Sequence, residues 1–501
     1  MIVAPAQALE GEPCVRRAER RLLGIIVASL GLYIATWLLE RAIFGNRLPV
    51  PASVADPANA GNRTLLLWQM TSYAVVTVFI FWAYLMVMRM CRRGEIYHGL
   101  ARRLAFAGPV LLNLLCFAWL PLLSDDAFSY LAHGVLGLIP GHNPLLEAPE
   151  AVRHTIVGSR LSAFEWRVPP DITPYGVLWT RLEMAVAKLC AGNVVAAILS
   201  FKAIALAASL GSARMIWLIL GRTHPNLQLQ GTLAYLWNPL IIIEFAGAAH
   251  NDALMVFFSI AAMAACVAYR PTISIIAQLL GAMTKYTSLL FLPAQLRYLW
   301  HSRRSAAQLT LQVATAIAVT VAVALILYAP LWTGLHTFQG IVRRADPVNT
   351  VSLASAVARV LRHSPLEPIA GPIAMAVVTV PLVVLVAWTA LQVKNAADLG
   401  RACAWISLAY LLVASPDYWP WYACMPIAWI MIGEPSRLFW LALMMSLMAR
   451  LVAPVEILHT HGYLSWPVSK AITAALGSLM PLIALAGWLW RQRQPRRSPA
   501  S

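Results

Sequence analysis

Residues 308–330 read QLTLQVATAIAVTVAVALILYAP and follow Arg303 and Arg304. The run carries no charged side chain, and about 20 apolar residues suffice for a helix to cross hydrocarbon. Inside a bilayer every backbone N–H and C=O must find its partner within the protein, which a helix achieves alone. Runs of the same kind extend outward in both directions, at about residues 22–39, 65–88, 104–123, 193–220, 229–248, 251–269, 370–393, 402–415, 419–433, 437–454 and 472–490. Hydrophobic residues form 60% of the 501 positions and charged residues 12%, whereas a soluble domain uses about 25% charged residues. Mean hydropathy is +0.69. The fold class is therefore an all-α polytopic membrane protein of about twelve transmembrane helices.

The net charge of +17 gathers at the ends of apolar runs, in clusters at Arg16, Arg17, Arg20, Arg21, at Arg92, Arg93, Arg102, Arg103, and at Arg491, Arg493, Arg496, Arg497. That is the distribution of cytoplasmic anchors under the positive-inside rule, and it argues against a nucleic-acid surface. Twelve crossings put both termini in the cytoplasm. The expected organisation is a tail at 1–21, one transmembrane domain at 22–490, and a basic tail at 491–501. The apolar stretch after residue 21 lacks a cleavage site and reads as a retained first span. The seven cysteines form neither a CxxC pair nor a metal-spaced set. Segment 273–299 has Arg270 before it and Arg297, Arg303 and Arg304 at or beyond its end. A re-entrant hairpin with its tip near Lys285 reconciles these charges. Residues 124–192 and 331–369 become large external loops, the first with interfacial helices at 127–138 and 177–189.

Polar residues in this apolar chain are the candidates for chemistry. Asp125 and Asp126 open the first external loop; they read as a solvated helix cap or as a catalytic base with a helper. His250, Asn251 and Asp252 separate two apolar runs, with Glu244 shortly before them. They form a hydrated turn or, by the high cost of ionisable groups at membrane depth, a functional cavity. Lys285, beside Tyr286, either snorkels or binds an anionic phosphate. Arg343 and Arg344, with Asp346 nearby, are solvated loop charges or a phosphate grip. The stretch SPDYWPWY at 415–422 suits an interfacial aromatic belt, or a sugar platform in which its aromatic faces stack and Asp417 hydrogen-bonds hydroxyls.

Seven pieces, in order, resemble the GT-C superfamily of polyprenyl-phosphate-sugar-dependent glycosyltransferases, and most nearly the bacterial polyprenyl-phosphomannose-dependent α-1,6-mannosyltransferases. They are SDDAFSYLAHG at 124–134, GHNP at 141–144, PYGVLW at 174–179, WNPL at 237–240, HNDALM at 250–255, KYTSLLFLP at 285–293 and SPDYWPWY at 415–422, spanning roughly residues 100–425. The resemblance implies a GT-C type bundle in a bacterial cytoplasmic (inner) membrane, with an extracytoplasmic active site. It implies inverting transfer of a hexose, with mannose favoured, from a polyprenyl-phosphate donor to a glycan or glycolipid acceptor. Asp126, four residues before Tyr130, resembles the family's catalytic aspartate, and Asp125 its neighbour. Lys285, His250, Asn251, Arg343 and Arg344 become candidates for the donor phosphate. Tyr130, His142, Asn143, Tyr175, Asp252, Asp417 and Trp419 become candidates for acceptor or sugar contacts. Val177 before Leu178 and Trp179 departs from the proline the family often has there.

Asp125 and Asp126 would also suit a divalent cation (Mg, Mn or Ca). The competing expectation is a transporter or lipid-linked glycan flippase, which also has many spans, buried charges and a broken helix.

Overall fold

The computed structural model of the protein describes residues 12–44, 63–340, 352–460 and 462–493, apart from positions 122, 165, 167, 170 and 363. The helices are α1 Glu12–Phe44, α2 Arg63–Arg92, α3 Gly99–Phe117, α4 Asp126–Leu136, α5 Ile156–Ala163, α6 Val177–Cys190 and α7 Val194–Thr223. They continue with α8 Gln228–Leu236, α9 Pro239–Ile241, α10 Asp252–Val267, α11 Pro271–Thr284, α12 Leu292–His301 and α13 Ala306–Tyr328. The last seven are α14 Leu353–Leu361, α15 Ala370–Leu391, α16 Ala396–Ala409, α17 Cys424–Gly433, α18 Phe439–Thr460, α19 Trp466–Ala474 and α20 Met480–Arg493. No named strand occurs among the described residues. The protein is an all-α, multi-pass membrane protein.

Among the described residues nine helices are long and apolar enough to cross a membrane, or ten if one bent pair counts as a span. The twelve expected spans thus need revision at identifiable places. The runs at 229–248 and 251–269 do not form two straight helices. Asn238 caps α9 by accepting from Leu240 N and Ile241 N, with Pro239 in the first turn, the preferred helix-start chemistry. A π-helical turn, Ile242–Gly247, follows, and the axis then swings by 116° into α10. The run at 419–433 starts with Pro420 in a short 3-10 turn, leaving only the ten residues of α17 as α-helix. α1 begins at Glu12, so the basic residues expected in a tail lie on its first turns.

The expected hairpin between the sixth and seventh runs is a chain reversal. α11 ends at an extended Lys285 (φ −152°, ψ 124°), and Gln295 Nε2 then donates to Gln278 Oε1 at 2.6 Å. Seventeen residues of straight helix would hold those positions about 25 Å apart.

One helix relates the two ends of the bundle. Near its start Arg21 pairs with Glu95 at 3.2 Å, and near its end Glu40 pairs with Arg450 at 3.2 Å. Nineteen residues of α1 separate these contacts by about 28 Å, close to a hydrocarbon thickness of about 30 Å. The polar residues described next gather at the Glu40 end.

Candidate active site

Lys202 of α7, fully buried, fixes the approach to the site. Its ammonium donates to the carbonyls of Cys116, at 2.9 Å, and Trp119. Carbonyls at a helix end lack intrahelical partners and attract a cation. The chain leaving α3 is thereby held as it runs to Ser124 and Asp125.

Asp125 occupies the cap position of α4, yet its side chain makes no capping hydrogen bond; Asp126 N donates instead to Ser124 Oγ at 3.3 Å. The plain capping reading of the two carboxylates therefore does not hold. Asp125 reaches solvent, but protein crowds it. That desolvation, with the Asp126 carboxylate beside it, pushes its carboxyl up to about 6. Three donors converge on Asp126 Oδ2: Tyr130 OH at 3.2 Å, Tyr175 OH at 3.5 Å and His250 Nδ1 at 3.2 Å. Tyr130 comes from one turn along α4. Tyr175 is delivered by a loop seated on the end of α11, where Gly176 N donates to Thr284 O at 3.0 Å. A Cβ at Gly176 would overlap the Met283 carbonyl, so this approach requires glycine.

The sharp bend before α10 delivers His250. Ala249 adopts a left-handed φ of +66°, a conformation that an L-residue adopts only under outside restraint. His250, Asn251 and Asp252 are 0%, 1% and 3% exposed, so the hydrated-turn reading does not hold either. Asn251 N donates to Tyr130 OH at 3.4 Å, and its buried Nδ2 makes no hydrogen bond. Asp252 pairs with Lys285, whose Nζ lies 2.9 Å from both carboxylate oxygens and 4.1 Å above the Tyr422 ring.

Behind His250 lies a chain of alternating charge. His250 Nε2 is 3.1 Å from Glu244 Oε2, an ion-pair distance without good hydrogen-bond alignment. Arg450 donates to Glu244 Oε1 at 3.0 Å and to Glu40 Oε1 at 3.2 Å, and also to Tyr73 OH. The His250 ring stacks on Trp421 (3.8 Å, 16°), which stacks on Trp419 (5.1 Å, 14°). Ser124, Glu244, Trp119, Trp419, Trp421 and Arg450 contribute to the lining of an open cavity.

The structure thus brings Asp126, Tyr130, Tyr175, His250 and Asn251 together, with the Asp252–Lys285 pair on the same bend and Trp419 on the cavity wall. Other candidates serve the loops. His142 Nδ1 is 3.1 Å from Glu147 Oε2, Asn143 Nδ2 donates to Leu331 O at 2.8 Å, and Asp417 Oδ1 accepts from Tyr418 N at 2.8 Å. Arg343, Arg344 and Asp346 lie outside the described residues. Among the described residues no group of three His, Cys, Asp or Glu side chains is arranged to hold a metal ion. Glu40, Tyr73, Arg450 and Trp421 escaped the sequence reading. Arg450 had a signal, a lone cation inside the apolar run at 437–454.

Residues 21–334 match the family described as "Alpha-(1->6)-mannopyranosyltransferase, N-terminal domain". The chain is also 26% identical over 348 residues to alpha-(1->6)-mannopyranosyltransferase A of Mycobacterium tuberculosis (strain ATCC 25618 / H37Rv). That match spans 66% of this chain and 64% of the relative. No solved structure matches the chain.

Proposed function

The chain belongs to the alpha-(1->6)-mannopyranosyltransferase family, and from that premise we propose that it transfers mannose from a polyprenyl-phosphate donor to a glycan or glycolipid acceptor. The reaction takes place at the extracytoplasmic face of a bacterial cytoplasmic membrane. The basic clusters at the far end of the bundle support that sidedness through the positive-inside rule.

In the proposed step an acceptor hydroxyl oxygen bonds to the anomeric carbon as the bond from that carbon to the phosphate oxygen breaks. The bonding pair leaves with the polyprenyl phosphate, and the hydroxyl proton passes to the Asp126 carboxylate. A single displacement inverts the anomeric centre. The transition state resembles the oxocarbenium-like one of glycoside hydrolysis. Tyr130, Tyr175 and His250 keep Asp126 ionised and aimed, because hydrogen bonds to a carboxylate favour its charged form. Asp125 orients the acceptor. Charge developing on the leaving phosphate needs fixed positive groups, and His250 is the buried cation candidate nearest the base. Asn251 Nδ2 offers a donor to a sugar or phosphate oxygen, and Trp419 and Trp421 offer faces for a pyranose ring.

The observation that carries this reading is the convergence of Tyr130, Tyr175 and His250 on Asp126 beside a tryptophan-lined cavity. Membranes bearing the wild-type chain or Asp126→Asn should be given radiolabelled polyprenyl-phosphate mannose and cell-envelope acceptors. Loss of a general base lowers the rate by about 10²–10⁴-fold, and full transfer by well-expressed Asp126→Asn would sink the assignment. The buried charges and broken helix also suit a transporter. Absence of covalent product from every polyprenyl-phosphate sugar tried would shift the reading there.

A further inference from the structure

Five titratable side chains, acidic and basic in alternation, run from the candidate base into the bundle: Asp126, His250, Glu244, Arg450 and Glu40. Successive contacts are 3.2, 3.1, 3.0 and 3.2 Å. The inner four side chains are at most 9% exposed, against 21% for Asp126. They come from α4, the bend before α10, the π-helical turn, α18 and α1. A structural salt bridge needs only two partners; this array continues until it reaches the candidate base, Asp126.

We infer that Glu244, held by Arg450, is a positioning residue that keeps His250 doubly protonated and directed at Asp126. This rests on the mannosyl-transfer reading only for its effect on rate. Both ring nitrogens of His250 lie within ion-pair distance of carboxylates, and only an imidazolium presents an N–H to each at once. Charges packed around the ring are Asp126 from α4, Glu244 from its own bend, and Arg450 and Glu40 behind Glu244; Asp125 adjoins Asp126, while Asp252 and Lys285 neutralise each other nearby. Trp421 covers one ring face at 3.8 Å, and an indole face favours a cation over a neutral ring. Arg450 does not reach His250 directly in this chain of contacts. It orients Glu244 and, through Glu40 and Tyr73, ties the site to α1 and α2. A π-helical turn supplies Glu244, and such turns occur frequently at functional sites.

The test is Glu244→Gln in the full chain, which preserves shape and removes one carboxylate from the ring. With histidine labelled by ¹³C and ¹⁵N, the signal absent from His250→Gln identifies His250, and its titration is followed in detergent-solubilised protein. Loss of the second carboxylate lets the ring surrender its proton at lower pH, so the His250 transition moves down in Glu244→Gln. In the transfer assay the alkaline limb of the pH–rate profile moves down with it, and kcat falls about tenfold or more while KM for donor and acceptor stays within about twofold. Should Glu244→Gln fail to fold, Arg450→Lys is the second variant: it keeps the charge but loses the forked grip on two carboxylates, and an altered His250 titration is expected. An unchanged His250 titration in a folded variant overturns the inference even if no transfer is ever detected. Absence of transfer by the wild type overturns the functional reading alone.

Discussion

Lys285 Nζ lies 2.9 Å from both carboxylate oxygens of Asp252, so the cation at the turn of the chain reversal is matched by an anion at the start of α10. Their side chains are 15% and 4% exposed. Breaking such a buried pair leaves an uncompensated charge, which costs about 3–5 kcal/mol. Lys285→Met should therefore lower the unfolding temperature strongly, and Lys285→Met combined with Asp252→Asn should recover most of the loss. Thermal unfolding of the three variants in detergent checks this. A double variant as unstable as the single one would mean that Lys285 has another partner of equal weight.

Asp125 yields a pH dependence of stability. Crowding by the surrounding protein, then the neighbouring Asp126 carboxylate, raises its carboxyl from 3.8 to about 6. The folded chain thus holds this proton more tightly than the unfolded one. The contribution is fully present below about pH 4 and is lost as pH rises through about 6. Asp125→Asn cannot lose it. Its unfolding temperature should match wild type near pH 4 and exceed it at neutral pH, read by melting curves across that range.

Gly134 of α4 faces α6 so closely that a Cβ would overlap the Glu183 carbonyl. Gly134→Ala must push these helices apart, and overpacking of this kind costs about 1–3 kcal/mol. Because Tyr130 lies one turn earlier on α4 and Tyr175 just before α6, the same change should loosen both hydrogen bonds to Asp126. Lower stability and lower transfer are expected together. An active, stable Gly134→Ala would show that the interface can yield without disturbing the base.

Trp421 lies flat on His250. Trp421→Ala removes a cation–π contact of about 2 kcal/mol when desolvated, which corresponds to roughly thirtyfold if it is expressed in rate. Trp421→Phe keeps a face in place and should retain most activity. Equal activity of the Ala and Phe variants would place the function of Trp421 in packing elsewhere. Steady-state transfer rates distinguish the two outcomes.

Much of the site was legible because polar residues stand out in an apolar chain. Asp126 and His250 interrupt hydrophobic runs, and the hairpin at Lys285 followed from the arginines around it. Tyr130 and Tyr175 came from resemblance alone; their convergence on one carboxylate oxygen is a three-dimensional fact. The turn at His250–Asp252 was marked by its polar residues, but the break inside the run at 229–248 was hidden, because hydropathy barely changes where α8 ends at Leu236 and a π-helical turn takes over at Ile242. Glu40 resembled the polar end of a first span, and Trp421 was one aromatic among several in a stretch that interfacial preference explains. What singles out both is a partner far along the chain, Arg450 for one and His250 for the other.

α1 finally acts as a spacer bar. Its basic end is anchored by Arg21 and its other end enters the charge chain through Glu40, with about 28 Å of unbroken helix between them. If the proposed transfer is what the site performs, a rigid bar of that length sets the height of the site about one hydrocarbon thickness from the Arg21 end. Under that proposal an acceptor would bring its hydroxyl to the membrane surface. Chain ends tethered to lipid meet that demand by construction, whereas free sugars in solution meet it only by chance encounter.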